Sequence, residues 1–308
     1  MIVVASYNSP DIDGIACSIA YAELLNKLKE KAEATYFGML GLEDEFVKKY
    51  TNYFPIKKHE GKYEANTQFV IVDTTDPNGI EPSIPPENII EIFDHRQQVF
   101  LEKYINAKAK IELVGSCATL ITEEFKKNKV EPSENAAIYL YSAIISNTVN
   151  FKNLVTTQRD KDAVNWLKNF MSLPDDYVKT MFNSKSNVTS GNLYEVIDQD
   201  FAIKNYGNKS VGIAQIEITD LEARIAKWGE KLPEVLNRLK KENHLDYIFF
   251  TGIDIFEGFN IFYMIDEESR KLFTKALEIP DLKSGYKTKE IIMRKQIGPK
   301  LEKLAGSF

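Results

Sequence analysis

Three short apolar runs in this chain each break off into carboxylates, and no other feature narrows the folds open to it as far. The first, from Ile2 to Ser6, stops at Tyr7-Asn8-Ser9-Pro10-Asp11-Ile12-Asp13-Gly14, and helical spacing follows at Ile15, Ser18, Ile19, Ala22 and Leu25. The second, Phe69-Val70-Ile71-Val72, runs into Asp73-Thr74-Thr75-Asp76-Pro77. The third, Ile89-Ile90-Glu91-Ile92-Phe93, runs into Asp94-His95-Arg96. Runs rich in β-branched residues and closed by turn formers read as buried strands. In an open parallel sheet, ligands bind outside the carboxyl ends of such strands. Aspartates gathered there repel one another unless a cation neutralises them. One such aspartate is ordinarily a helix N-cap or a turn former, but three strand ends in succession point to a metal. Oxygen ligands with a single imidazole suit Mn²⁺ or Mg²⁺ better than zinc.

The rest of the composition sets limits. A chain of 308 residues suits two unequal domains, and 44% apolar with 27% charged residues is ordinary for a soluble globular protein. A formal charge of −6 argues against nucleic acid as a partner while leaving room for a local basic pocket. The two cysteines, Cys17 and Cys117, read as buried thiols of a reducing compartment. The opening MIVVASY is too short to span a bilayer and lacks a basic flank, so a cytoplasmic protein with no membrane partner is expected.

The ordered set SPDIDG, FVIVDTT, IFDHR and AIISNTVNF resembles the four motifs of the DHH phosphoesterases. Gly115-Ser116-Cys117-Ala118-Thr119-Leu120 is similar to the family's GSxAT segment. Phe151-Lys152 with Thr156-Thr157 resembles the stretch after the fourth motif of family II, manganese-dependent inorganic pyrophosphatases. The segments from Val211 to Glu217 and from Arg294 to Pro299 resemble the DHHA2 domain shared with exopolyphosphatases, and the DHR variant looks nearest to the prune and exopolyphosphatase branch.

The resemblance implies an α/β fold: a mainly parallel-sheet DHH domain followed by a smaller mixed DHHA2 domain. It implies Asp11, Asp13, Asp73 and His95 as ligands of Mn²⁺ or Mg²⁺, with Asp94 the partner that orients His95. Asn147 stands where the family carries an aspartate ligand, so it is expected as a weak ligand, leaving one metal or a weak second one. Tyr7 replaces a ligand histidine of the pyrophosphatases. Arg96 replaces a histidine that touches substrate phosphate; it can hold that oxygen but cannot shuttle a proton. Asp73, His95 and Arg96 are the expected catalytic residues, and Arg96, Ser116, Arg294 and Lys295 the expected phosphate contacts. For Gly115-Ser116 an ordinary N-cap is an equal alternative. A phosphate-binding lysine of the relatives has no counterpart near Asp200.

The DHH domain is expected at 1–182, a polar linker at 183–192 and the DHHA2 domain at 193–308, with the active site in the cleft between the domains. Helices are expected near 43–50, 119–127, 136–146, 159–170, 221–228, 232–243 and 289–296, the last stopped by Gly298-Pro299, with second-domain strands near 210–217, 247–252 and 259–264. The implied activity is metal-dependent hydrolysis of phosphoanhydride bonds in pyrophosphate or short-chain polyphosphate. A homodimer remains open. The alternative is a catalytically impaired relative that binds phosphate compounds or a protein partner, suggested by Tyr7, Asn147 and the absent lysine. Oligonucleotide cleavage stands third, since the glycine-rich, histidine-containing motif that goes with it is missing.

Overall fold

The run Ile2–Ala5 forms β1, buried along its whole length, as an apolar stretch must be when both faces of a sheet are covered. The computed structural model describes residues 1–59, 63–96, 99–185, 189, 191–199 and 201–304, without the side chains of Lys185, Gln199 and Lys295. The chain divides into two units, Met1–Ser184 and Lys185–Phe308.

In the first unit β1 is followed by α1 (Ile12–Lys27), β2 (Ala32–Tyr36), α2 (Leu42–Val47), β3 (Ile56–Lys58) and β4 (Gln68–Val72). Then come β5 (Ile89–Asp94), β6 (Lys108–Ile111), α3 (Cys117–Asn128), α4 (Glu134–Asn147), α5 (Gln158–Leu167) and α6 (Tyr177–Lys185). The strands form one sheet in the order β3-β2-β1-β4-β5-β6, every neighbour parallel. The chain builds outwards from β1 through β2 to β3, then returns to the other side of β1 with β4. That reversal is the switch point at which an open parallel sheet leaves a crevice beyond its carboxyl ends. The turn carrying Asp11 and Asp13 follows β1, and Asp73 follows β4.

The start of α1 is set by two residues. Asp11 is its N-cap, accepting the N–H groups of Asp13 and Gly14. A Cβ on Gly14 would meet Ser6 Cβ at 2.8 Å and Pro10 Cβ at 2.9 Å. Glycine there lets the helix start close against the end of β1, which carries Asp13 inside.

The second unit holds α7 (Leu193–Gln199), β7 (Phe201–Tyr206), β8 (Lys209–Ile218), α8 (Leu221–Trp228), α9 (Lys231–Glu242) and β9 (Tyr247–Asp254). It continues with β10 (Phe259–Tyr263), α10 (Glu267–Leu277), β11 (Tyr286–Lys287) and α11 (Arg294–Leu304). Its sheet runs β11-β10-β9-β8-β7, with β8 and β9 parallel and the other pairs antiparallel. Strand alternation divides the core. Ala214, Ile248 and Phe250 pack with Leu193, Leu221 and Leu236, while Ile213, Phe249 and Phe262 pack with Phe273, Ile297 and Leu301.

The expected α/β architecture stands, while helices α6, α7 and α10, which also carry core residues, were not among the expected elements. The strands without a long apolar run, β2 (AEATY), β3 (IKK), β6 (KAKI), β7 (FAIKNY) and β11 (YK), had no such signal. The helix expected at 289–296 is corrected. It begins at Arg294 and continues to Leu304 through Gly298 and Pro299. Before it, Asn260 takes both backbone groups of Ile292, each at 2.8 Å, and holds that segment out of a helix. Gln296 Oε1 accepts the Met293 N–H at 2.7 Å and Gln215 Oε1 the Arg294 N–H at 2.8 Å, which caps the new start. A helical proline costs about 3 kcal/mol. Ile297 and Leu301, one turn apart and both fully buried, return roughly 1.5–3 kcal/mol each. No helix among the described residues is long and apolar enough to cross a membrane.

Leu301→Ala should therefore destabilise the second unit by about 2–5 kcal/mol, read as a lower urea midpoint. A loss under about 0.5 kcal/mol would mean that α11 is not docked through this face.

Candidate active site

The carboxyl ends of β1, β4 and β5 are neighbours in the sheet, and from them come Asp13, Asp73 and the Asp94-His95-Arg96 turn. Asp13, fully buried, lies in the first turn of α1. Its Oδ1 accepts from Ser116 Oγ and from the Ala118 N–H, both at 2.9 Å. Its Oδ2 accepts the Cys117 N–H at 2.8 Å and the Asn147 amide at 2.5 Å. Three of these donors belong to the start of α3, where unpaired N–H groups and the helix dipole favour an anion. Asp13 is thus a carboxylate seated on a helix N-terminus.

Asp73 is held quite differently. It adopts a left-handed backbone, φ 61°, rare for a residue with a side chain. It is buried, and neither of its oxygens has a hydrogen bond of good geometry. Oδ1 faces His95 Nε2 at 3.3 Å and Oδ2 faces the Arg96 guanidinium at 3.5 Å. His95 Nδ1 lies 3.0 Å from the Val114 carbonyl, so Nδ1–H donates there and Nε2 turns towards the acids. Asp13 Oδ2 is 3.8 Å from Nε2.

One ligand atom from each of Asp13, Asp73 and His95 can be chosen so that all lie within 4.8 Å of one another. A buried carboxylate without hydrogen bonds costs several kcal/mol unless a positive charge compensates it. Two carboxylates and one imidazole suit a hard divalent ion such as Mn²⁺ or Mg²⁺, and the orphaned oxygens of Asp73 give it a place to bind. Burial pushes both carboxyls up, and the charge of Asp13 pushes Asp73 further. Burial opposes a charge on His95 as well. The contact with Asp73 and the charges of both acids outweigh it and raise the ring to about 10. Without a cation, the imidazolium is the positive charge between the two carboxylates.

The other expected site residues make further contacts. Asp11 is exposed and spends its Oδ1 on capping α1, outside the three-residue group. Asp94 Oδ1 accepts the backbone N–H groups of His95 at 2.7 Å and Arg96 at 3.2 Å. It therefore shapes the turn, while the Val114 carbonyl orients the imidazole. Asn147 turns its amide nitrogen to Asp13, because a carboxylate draws the donor end of an amide. Ser116 is fully buried, donates to Asp13 and accepts the Ala118 N–H at 3.2 Å, which makes it the N-cap of α3.

Arg96 remains half-exposed, with its guanidinium 5.3 Å from the centre of the Tyr7 ring. Burial, then the charges of Asp11 and Asp73, push Tyr7 well up, so it stays a neutral phenol. Its hydroxyl accepts the Asp11 N–H at 3.0 Å. Arg294 opens α11 in the second unit. The Lys295 side chain and Asp200 lie outside the described residues. The residue types gave no hint of the Val114 carbonyl or the Cys117 and Ala118 amides, since these are backbone groups.

The DHH family N-terminal domain matches residues 1–144, and the DHHA2 domain matches residues 179–304. The chain is 26% identical to the manganese-dependent inorganic pyrophosphatase of Bacillus subtilis, over 96% of this chain and 95% of that one. It is 28% identical to the manganese-dependent inorganic pyrophosphatase of Methanothrix thermoacetophila, over 98% and 97%. Among solved structures, it matches a Methanococcus jannaschii protein assigned to the family II inorganic pyrophosphatases, with a TM-score of 0.65 and 25% identity over 99% of this chain and all of that one.

In the metal-free chain the His95 ring should titrate near 10 by NMR. A metal at Nε2 must displace that proton, so Mn²⁺ affinity should rise with pH between 6 and 9, about tenfold per unit for one proton released. Ring signals titrating near 6.5 would remove the coupling. Asn147→Asp replaces a short hydrogen bond by two opposed carboxylates. Its metal-free melting temperature should drop and Mn²⁺ should restore it, with binding several-fold tighter than in the parent.

Proposed function

We propose that this chain, a member of the DHH family carrying a DHHA2 domain, hydrolyses phosphoanhydride bonds of pyrophosphate or short-chain polyphosphate with a divalent ion, Mn²⁺ or Mg²⁺, held by Asp13, Asp73 and His95. The observation that carries the reading is Asp73, buried at a parallel-sheet switch point with both oxygens unsatisfied and a histidine nitrogen facing it. When bound, such an ion supplies Lewis-acid charge to the phosphoanhydride and to the attacking water.

The protein's own groups do the rest. The start of α3 keeps Asp13 in place as an anion, and the Val114 carbonyl keeps His95 Nε2 directed inward. Arg96 is steadied by Asp73 and Tyr7, and its remaining N–H donors neutralise charge developing on the leaving phosphate. Proton transfer falls to a group other than Arg96, which stays charged at any working pH. Arg294 and Lys295 are assigned to substrate phosphate, and cytoplasm to the place of action.

The second reading, a protein that binds phosphate compounds without turnover, is favoured by one contact. Asn147 already satisfies the Asp13 oxygen nearest His95 and adds no negative charge.

The deciding measurement is phosphate release from pyrophosphate and tripolyphosphate with Mn²⁺, Mg²⁺ or Co²⁺. Turnover should require the metal, and Asp73→Ala should lower it by about 10²–10³-fold, as loss of a principal electrostatic group does. Pyrophosphate bound in calorimetry without release of phosphate would establish the second reading.

A further inference from the structure

Asp160, near the start of α5, is a fully buried carboxylate to which the proposed reaction gives no part. Its hydrogen bonds fall into two groups. Oδ2 accepts the Thr157 N–H at 2.7 Å and the Thr157 hydroxyl at 2.8 Å, which is the capping box of α5. Capping explains nothing further. Yet both oxygens also take the Gly115 N–H, each at 3.0 Å, and Oδ1 takes the Thr119 hydroxyl at 2.6 Å.

Gly115 and Thr119 bracket Ser116, Cys117 and Ala118, the three residues at the start of α3 that donate to Asp13. A Cβ at Gly115 would meet Thr148 Cγ2 at 2.5 Å and Asp160 Oδ2 at 3.0 Å, so the fit requires glycine. Thr148 directly follows Asn147, the fourth donor to Asp13. Every strong donor to Asp13 therefore stands on a segment packed at the Asp160–Gly115 contact.

We propose that Asp160 is a positioning residue for the metal centre, gripping the Gly115–Thr119 turn so that its donors hold Asp13 at the distance from His95 that a cation requires. This rests on reading Asp13, Asp73 and His95 as the metal ligands. Asp160→Asn puts an amide N–H₂ where Gly115, Thr119 or Thr157 now donates, so the turn must shift and Asp13 with it.

The test is the Mn²⁺ Kd of the full chain by calorimetry, for the parent, Asp160→Asn, Ser116→Ala and the double variant. Asp160→Asn should raise Kd about tenfold, as loss of a group supporting a metal ligand does. The double variant should be little worse than the worse single one, because both act through the same turn. Val164→Ala, which opens a cavity in the same helix, should lower the melting temperature and leave Kd unchanged. A Kd for Asp160→Asn within about twofold of the parent, or strictly additive losses, overturns the proposal. If Asp160→Asn does not fold, Thr119→Ala decides: it removes one of the contacts, and an unchanged Kd overturns the proposal equally. A parent chain that binds no Mn²⁺ overturns the metal reading and this one together, whereas Mn²⁺ bound equally by parent and variant overturns only the positioning.

Discussion

Two carboxylates buried side by side, Asp13 and Asp73, set the terms for everything around them. Charge in a protein interior must be answered by hydrogen bonds or by opposite charge. Asp13 has the first answer, with four donors from the start of α3 and the end of α4. Asp73 has only the second, since His95 and Arg96 approach it without a well-formed hydrogen bond. The difference divides their work. Asp13 is an anchored anion whose geometry the fold dictates, and Asp73 is the group left in need of a cation.

The sheet order makes the pairing inevitable. Strands β1 and β4 are separated by more than 60 residues of chain but lie side by side, and their carboxyl ends open at the reversal of strand order. Strand β5 then adds His95 one position further along. A parallel sheet brings the ends of distant segments together without any local sequence contact. The backbone strain at Asp73 is consistent with a side chain directed by the site and not by its own preferences.

Two neighbouring side chains temper the charge at this centre. Asn147 is neutral and donates a hydrogen bond to Asp13, which answers part of that carboxylate's charge. Tyr7 places a neutral ring beside Arg96. Together they set a hydrogen-bonded carboxylate beside a guanidinium packed near a ring. In the second unit the same logic appears in polar form, with Asn260 and Gln215 fixing the backbone that carries Arg294.

By itself the sequence determined which strands are buried, that each ends in acids, and hence the fold class and the metal chemistry. Apolar runs and the residues that close them are local signals, and burial of both faces has one common solution. That Asp13, Asp73 and His95 gather at neighbouring strand ends was legible for that reason. The pattern Thr157-x-x-Asp160 was legible only as a cap. Tertiary structure alone decided that Asp11 and Ser116 are caps, that Asn147 gives its nitrogen and not its oxygen, and that Val114 orients His95. It also decided that α11 passes through Pro299. These outcomes depend on which partner reaches a group first across the fold, and backbone donors, side-chain orientation and long-range burial leave no trace in residue spacing.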